Sequence, residues 1–295
     1  MRTFLVKEAD LAGIATDALC TMEIGTKFNH HGLMLDVRKA TGVALTRAEI
    51  VAQIETISLS VKVKGGPNIR LLKEIPVEVI FDILNEYRDQ WKSAYDYDAA
   101  AIGIVYISFT RPELGILVDP SALVLGMLDI DSYLLQVKFG TVTDLASIAV
   151  IPEVDKGPAR PLGEHIRFER WERTFGSTGI EHVTELPFGE PETAMLGYHI
   201  DEGATGTIDD VEVRFDGQIM HDPLNIAQNA LLLHRAKMTP VAGYFHVDFN
   251  RWGGALPVGV AKSFRQKFNW NVAAAPNSYD VYTEMIYSLG AKNYV

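Results

Sequence analysis

The chain has 295 residues, of which 47% are hydrophobic and 22% are charged, and its formal net charge is −11. This length and apolar content suffice for one large domain or for two of about 150 residues, and they argue against long disordered tails. The acidic balance argues against direct binding of nucleic acid, because such a surface needs clustered lysine and arginine. The single cysteine, Cys20, excludes an intrachain disulfide and a cysteine-based zinc site.

The sequence predicts neither a secretory leader nor a membrane-spanning segment. Lys7, Glu8 and Asp10 interrupt any apolar run near the first residue. No stretch approaches the ~20 consecutive apolar residues that cross a bilayer. We therefore expect a protein that is made and used without a secretory route.

The first third of the chain begins with an arm and two short strands. Residues 1–20 are predicted to form an arm with helical leanings, and residues 22–28 and 33–37 are predicted strands. The turn between these strands contains the only adjacent histidine pair, His30 and His31. Because neighbours on a strand point to opposite faces, one metal ion would not easily bind both, and we expect the pair on a surface turn.

A strand–helix–strand unit follows and is the organising pattern of the chain. Thr46 and Glu49 fit the capping box of a short helix that precedes it. Residues 57–63 then alternate between apolar and polar side chains, which is typical of a half-buried strand. An amphipathic helix opens at Pro76, and an apolar strand over residues 102–109 closes the unit.

The same order of elements recurs roughly 150 residues later. Residues 211–215 alternate, Asp222-Pro223 predicts the start of a helix, and residues 244–249 form the next apolar strand. Each copy of the unit ends in Phe-x-Arg, which places Arg111 and Arg251 at equivalent strand ends. The agreement in order and polarity indicates an internal duplication.

A further repeated strand and a segment rich in proline and glycine define two domains. Tyr133 and Tyr279 each begin an alternating strand, with a shift of 146 residues between them. The stretch 151–163 is dense in proline and glycine, which is typical of a domain boundary. We predict two copies of one β-rich domain, over residues 1–155 and 156–295.

Short alternating strands separated by turns, with few helices, predict antiparallel sheets packed as sandwiches. The predicted fold class is all-β with short inserted helices: a double jelly roll of two tandem antiparallel β-sandwiches. The helix inserted in each copy is expected to cover one end or edge of its sandwich, where an open strand edge would otherwise be free to pair.

The sequence contains no motif for catalysis. It lacks the Gly-x-Ser-x-Gly elbow, the phosphate-binding loop and the His-Glu-x-x-His pair. His199 and His246 alternate with apolar neighbours, which predicts outward positions on strands rather than metal ligands. We expect a protein that is not an enzyme and that requires no cofactor.

One alternative function remains open at this point. A glycoside hydrolase built on a β-sandwich needs only two facing carboxylates, and the sequence singles out no such pair. A two-domain β-sandwich carbohydrate-binding protein or glycoside hydrolase would expose aromatic side chains along a groove, with Trp171, Trp252 and Trp270 as candidates. In a self-assembling protein the same tryptophans would lie in cores or interfaces.

Two sets of polar residues are candidates for binding. Carboxylate clusters at the starts of strands suit structural Ca²⁺, although neither cluster has the ligand spacing of a dedicated calcium loop and solvated turns explain them as well. The members of these clusters are Asp129, Asp131, Asp209 and Asp210. Arg111 and Arg251 are candidates for binding a carboxylate of a neighbouring chain, and a local ion pair within the domain is the alternative.

Several short segments resemble the major capsid protein of corticoviruses, and they occur in order over most of the chain. The segments are Met1-Arg2-Thr3-Phe4-Leu5, Ile24-Gly25, Leu35-Asp36-Val37-Arg38, Phe109-Thr110-Arg111-Pro112-Glu113, Leu186-Pro187, Asp216-Gly217 and Tyr244-Phe245-His246-Val247-Asp248-Phe249.

The resemblance implies a double jelly roll similar in architecture to the major capsid proteins of tectiviruses and adenoviruses. It implies a homotrimer with a pseudo-hexagonal outline that tiles the icosahedral shell of a tailless, membrane-containing phage, with structural Ca²⁺ in the capsid. Implied partners are neighbouring capsomers, penton and minor capsid or membrane proteins, and the internal lipid membrane. The implied location is the virion capsid, after assembly in the bacterial cytoplasm.

Overall fold

The computed structural model describes residues 3–88, 102–110, 123–183, 193–203, 206–249, 255, 264–272 and 277–287. The chain divides into two compact units, the first extending to Arg167 and the second starting at Phe168. Arg111, Arg251 and Trp252 lie outside the described residues. No helix within these ranges is long and apolar enough to cross a membrane.

The first unit is a sandwich of two four-stranded sheets, as far as its described residues extend. Its elements are β1 (Thr3–Leu5), β2 (Leu19–Glu23), β3 (Asn29–Lys39), α1 (Arg47–Gln53), β4 (Ile54–Val63), β5 (Asn68–Pro76), α2 (Val77–Val79, continued in π-helical geometry over Ile80–Tyr87), β6 (Ile104–Ser108), β7 (Ile130–Phe139) and β8 (Leu145–Asp155). The sheet orders are β1-β8-β3-β6 and β2-β7-β4-β5. In β4 the alternating Ile57, Leu59 and Val61 are fully buried, which confirms the predicted half-buried strand.

The second unit repeats this architecture. Its elements are β9 (His165–Phe175), β10 (Gly179–Val183), β11 (Thr193–Asp201), β12 (Gly206–Phe215), β13 (Gln218–Leu224), α3 (Ile226–Arg235), β14 (Tyr244–Asp248), β15 (Phe264–Val272) and β16 (Asn277–Tyr287). The strand orders are β9-β16-β11-β14 and β10-β15-β12-β13. Inward-facing side chains from both sheets, including Tyr198, Phe268 and Trp270, form one apolar core.

The two units share one topology, strand for strand. In each unit the first, eighth, third and sixth strands form one sheet, and the second, seventh, fourth and fifth form the other. In each unit a helix lies between the fifth and the sixth strand. This is the jelly-roll arrangement, so the predicted all-β double jelly roll with short inserted helices is confirmed.

One predicted part of the duplication is wrong. Tyr133 lies on β7, the seventh strand of the first unit, whereas Tyr279 lies on β16, the eighth strand of the second. β7 pairs with β4 and β2, whereas β16 pairs with β11. Both strands bury alternate side chains, and periodicity alone does not say which neighbours a strand pairs with.

The second predicted helix start is also wrong. Asp222-Pro223 lies in β13, at the edge of its sheet, where a missing backbone N–H is tolerated. Helix α3 instead begins after Asn225, which forms a capping box with Gln228. The reciprocal bonds satisfy two amide groups at the helix start, as they do between Thr46 and Glu49 in α1, where the prediction is confirmed.

The N-terminal region differs from its prediction as well. Residues 3–20 contain no helix; β1 pairs with β8, with Thr3 opposite Asp155. The predicted turn at residues 29–32 is the beginning of β3, and His30 and His31 are buried there. β3 pairs with β8 through this region, and this pairing places both histidines in the interior of the domain.

The proline- and glycine-rich stretch after β8 is attached to the first unit. Leu162 N donates a hydrogen bond to Asp129 Oδ1 over 2.7 Å, and Leu128 N donates to Arg160 O over 2.9 Å. A Cβ atom at Gly126 would lie 2.1 Å from Pro161 O, so the two segments are in close contact. This attachment explains why the units divide after this stretch, later than the predicted boundary between residues 155 and 156.

We predict that Gly126→Ala destabilises the first unit by about 1–3 kcal/mol, because the added methyl group overlaps the backbone at Pro161. Gly163→Ala is the matched control: no atom lies within 4 Å of the point that its methyl group would occupy and its φ is not positive, so we expect a change within about 0.5 kcal/mol. Urea denaturation of both variants measures the free energy of unfolding. Equal stabilities would contradict the close contact.

Candidate functional site

The four calcium candidates lie in two separate places, at the start of β7 and in β12. Asp131 is exposed at the start of β7, directly after the turn that contains Asp129, and Asp209 and Asp210 lie in β12. Two of their oxygens are already engaged, because Asp129 Oδ1 accepts from Leu162 N and Asp210 Oδ1 accepts from Asn269 Nδ2 over 2.6 Å. In the part of the chain that the structure describes, no three His, Cys, Asp or Glu side chains are grouped to hold a metal ion. Calcium binding at these carboxylates remains a prediction.

The interface candidates Arg111 and Arg251 follow buried phenylalanines. Phe109 and Phe249 are buried at the ends of the sixth strand of each unit, as the repeat predicts. The arginines themselves lie outside the described residues, so their role also remains a prediction.

A dense polar cluster of the second unit crosses three adjacent strands. His199 on β11 is the register partner of His246 on β14, and their Nδ1 atoms are 2.7 Å apart. His199 Nε2 lies 3.0 Å from Oε1 of Glu284 on β16. All three side chains are at most 1% exposed. Sequence reasoning missed this cluster, because its members are far apart in the chain.

The hydrogen bonds fix where the protons lie. Val241 N–H donates to His246 Nε2 over 3.1 Å, so this nitrogen carries the lone pair. A neutral His246 therefore has its proton on Nδ1 and donates it to His199 Nδ1, and His199 donates from Nε2 to the Glu284 carboxylate. The chain of donors runs in one direction, from β14 to β16.

This network also holds helix α3. Asn229 Nδ2 donates to the backbone oxygen of His246 over 2.6 Å, and its Oδ1 lies 3.3 Å from His221 Nε2. His221 and Asn229 are buried as well. The outward orientation predicted for His199 and His246 is correct, since their neighbours form the core, but α3 and the following segment bury this outer face.

A carboxylate linked to two imidazoles can relay a proton in an active site. Here every member is buried and already has hydrogen-bond partners, so a substrate cannot reach the ring nitrogens. The arrangement instead satisfies polar groups that would be costly to bury alone, and it fixes the register of three strands.

Buried polar groups also form hydrogen bonds at the end of β8, the last strand of the first unit. His31 Nε2 lies 3.0 Å from Asp155 Oδ2, while Asn29 Nδ2 and Gly157 N donate to Asp155 Oδ1. Burial alone would raise the pKa of Asp155, but hydrogen bonds from His31, Asn29 and Gly157 outweigh it, and the pKa lies below its usual value. The carboxylate thus holds the end of β8 against the start of β3.

Burial also changes the pKa of two other histidines. Burial lowers the pKa of His30 to about 4, against the opposing effect of its hydrogen bond to Gly25 O. Burial also lowers the pKa of His165 to about 4, although its Nδ1 donates to Gly163 O. Both rings are therefore neutral at pH 7.

The two candidate tryptophans that the structure describes pack into the core of the second unit. Trp270 is fully buried, with its ring centroid 4.8 Å from that of Tyr279. Trp171 packs against the same core and donates from Nε1 to Thr283 Oγ1 over 3.1 Å. These two positions contradict the exposed aromatic groove that a sugar-binding protein would present.

Several large apolar side chains are exposed and could contact a partner. On the first unit they are Phe4, Leu5, Leu19, Val43 and Leu128, and on the second unit they are Ile219, Ile226 and Leu231. Ile226 and Leu231 lie on the same short helix, α3.

Comparison with known proteins agrees with the architecture. Residues 166–289 match the family model of the viral coat protein P2 C-terminal domain. No curated protein matches the chain by sequence.

Solved structures match over nearly the whole chain. The major capsid protein P2 from bacteriophage PM2 has a TM-score of 0.76 at 15% identity, covering 98% of this chain and 99% of that chain. The STIV MCP has a TM-score of 0.67 at 10% identity, with 99% of both chains covered. The PBCV-1 virus capsid has a TM-score of 0.60 at 10% identity, covering 97% of this chain and 95% of that chain. The predicted resemblance to double jelly-roll capsid proteins is confirmed.

We predict that acidification destabilises the fold between about pH 6.5 and pH 4. His30 and His165 have folded-state pKa values of about 4 and an unfolded value near 6.5, so the unfolded chain binds more protons in this window. The free energy of unfolding should therefore fall as the pH is lowered through it, by up to about 1.4 kcal/mol per pH unit for each histidine.

Urea denaturation at several pH values measures this slope. In His165→Gln the slope of the unfolding free energy against pH should be smaller between pH 6.5 and pH 4. The decrease corresponds to the uptake of about one proton fewer on unfolding, because glutamine does not titrate. An unchanged slope would show that His165 is not held neutral.

We predict that Asn229→Leu costs about 1–3 kcal/mol, because it leaves the oxygen of His246 and the Nε2 of His221 without this partner. Amide exchange within α3 should accelerate. His234→Leu, an exposed change on the same helix, is the control and should alter stability by less than about 0.5 kcal/mol. Equal effects of the two substitutions would contradict an anchoring role for Asn229.

Proposed function

We propose that this chain, whose residues 166–289 match the viral coat protein P2 C-terminal domain family, is the major capsid protein of an icosahedral virus. One observation carries the proposal: two tandem jelly rolls with the same strand order, a fold shared with solved viral capsid proteins over nearly their full length. The chain acts by self-assembly and its place is the virion capsid.

The assembly unit in this proposal is a homotrimer. Each chain supplies two domains of like topology, so three chains around a threefold axis present six like domains. Such a capsomer has a pseudo-hexagonal outline, and hexagons tile flat facets. The duplication therefore accounts for how a threefold object fills a hexagonal lattice.

The proposed partners follow from the same assembly. They are neighbouring capsomers, penton and minor capsid or membrane proteins, and an internal lipid membrane of a tailless phage assembled in the bacterial cytoplasm. The net charge of −11 supports contacts between capsomers that are stabilised by Ca²⁺. It argues against direct contact with nucleic acid. Arg111 and Arg251 are the proposed carboxylate-binding residues between chains.

We predict that the purified protein is a stable trimer. Light scattering behind a sizing column should give a mass near three times 32.7 kDa, without smaller species on dilution, because interfaces of roughly 2,000 Å² or more hold permanent assemblies together. Electron microscopy should then show hexagonal outlines. A monomer at all concentrations would overturn the proposal.

A further inference from the structure

Every ring nitrogen of His199 and His246, the two facing histidines of the second unit, takes part in a hydrogen bond. Val241 N–H donates to His246 Nε2 over 3.1 Å, and His246 Nδ1–H donates to His199 Nδ1 over 2.7 Å. His199 then donates from Nε2 to Glu284 Oε1 over 3.0 Å. A backbone amide can only donate, so Val241 sets the direction of all three bonds. Both rings are neutral in this arrangement.

The register of the strands shows which residues take the same places in the first unit. Gly32 on β3 lies opposite Glu153 on β8. Gly197 on β11 lies opposite Glu284 on β16. These are the third and the eighth strand of their units, so the two glycines are equivalent and so are the two glutamates.

The first unit has no histidine at the places of the facing pair. Met34 is the register partner of Tyr106, as His199 is of His246, and each pair lies two residues beyond the equivalent glycine on the third strand. Tyr106 Oη donates directly to Glu153 Oε2 over 2.6 Å. Neither methionine nor tyrosine takes up a proton between pH 7 and pH 4. Of the two equivalent sites, the one in the second unit therefore responds to acid.

A second proton on either ring places two N–H groups against each other. On His246 it would lie on Nε2, 3.1 Å from the donating nitrogen of Val241. On His199 it would lie on Nδ1, 2.7 Å from the protonated Nδ1 of His246. Both rings are at most 1% exposed, so bulk water does not separate the two donors. A protonated ring therefore requires one of these contacts to open.

The ionisable groups on this side of the sheet are mostly acidic and favour a proton on the rings. Glu284 contacts His199 directly. On the two histidine strands, Asp201 and Asp248 each lie two residues beyond the histidine, and therefore on the same side of the sheet. The other ionisable neighbours are Tyr244, Tyr282, His221 and the ion pair of Asp280 with Arg170. His234, Arg235 and Lys237, on the covering helix and the segment after it, are exposed.

Helix α3 and the segment that follows it depend on this network. Asn229 and Leu233 are the buried residues of α3, and a helix of this length is marginal in water without packing. Asn229 donates to the backbone oxygen of His246, while Val241 donates to the ring of the same residue. By contrast, β11 and β14 are joined by five register pairs of backbone. When the ring contacts open, the sheet is retained and the layer over it is loosened.

We propose that His199 and His246 form a pH-sensitive switch, in which a proton on either ring releases α3 and residues 236–243 from the sheet while the sandwich stays folded. The inference concerns the interior of the second unit and does not depend on the proposed function. Histidines exposed to water take up a proton below about pH 6.5, so the open form binds more protons than the closed form. The closed form therefore loses stability as the pH falls below that value.

Hydrogen exchange measured by mass spectrometry, corrected for the intrinsic rate at each pH, tests the switch in the full chain. Protection of residues 226–243 should fall roughly tenfold more than that of β12 between about pH 7 and about pH 5.5, because each proton taken up on opening changes the opening constant by up to about tenfold per pH unit. An equal loss of protection in the two regions, or no loss in α3, overturns the proposal.

A matched pair of substitutions assigns the effect to the buried rings. In His246→Gln the side-chain oxygen can accept from Val241 N–H and the residue does not titrate, so the protection of α3 should change less than about twofold over the same pH range. His234→Gln removes an exposed histidine of the same helix and should respond as the wild type does. A wild-type response in His246→Gln contradicts the switch.

Nitrogen–proton correlation NMR of the wild-type protein, labelled at histidine, reports the protons directly and needs no variant. At pH 7.5 His246 should be protonated at Nδ1 and bare at Nε2. On acidification, doubly protonated rings should appear with the same midpoint as the loss of protection in α3. Doubly protonated rings under a helix that stays protected would show that the proton does not open the layer, and the proposal would be wrong.

Discussion

Each domain depends on pairing between strands that are far apart in the sequence. In the first unit β8 pairs with both β1 and β3, so the end of the unit lies between two strands from its beginning. In the same way β16 of the second unit pairs with β11. These pairings form only after long loops have closed, which favours slow and cooperative folding. A sandwich of this topology is therefore complete or absent.

Polar groups have a distinct role within this framework. The sandwich cores are apolar, whereas His199, His246 and Glu284 lie on the opposite face of one sheet and are buried by a second layer. Asp155 occupies a comparable place at the end of β8. Buried hydrogen bonds of this kind are satisfied in one arrangement only, so they select a register that apolar contacts alone would leave less defined.

Local periodicity predicted much of the fold, since period-two burial in β4 and the capping box at Thr46 depend only on nearby residues. It also revealed the duplication. It did not distinguish β7 from β16, because pairing partners are not encoded within a strand. The burial of His246 was missed because the residues that cover it and pair with it lie on other elements, among them Asn229 of α3 and His199 of β11. The calcium candidates had no comparable pattern of spaced ligands, and the sequence alone could not group them.

The helix α1 lies in the connection between β3 and β4, whereas in the second unit β11 ends at Asp201 and β12 already begins at Gly206. After a duplication, such an addition makes two similar domains distinguishable. In a ring of three chains the two kinds of domain would alternate, so adjacent edges of the hexagonal outline would differ in chemistry. A tile of this kind has a defined orientation, and its neighbours could recognise which edge they meet.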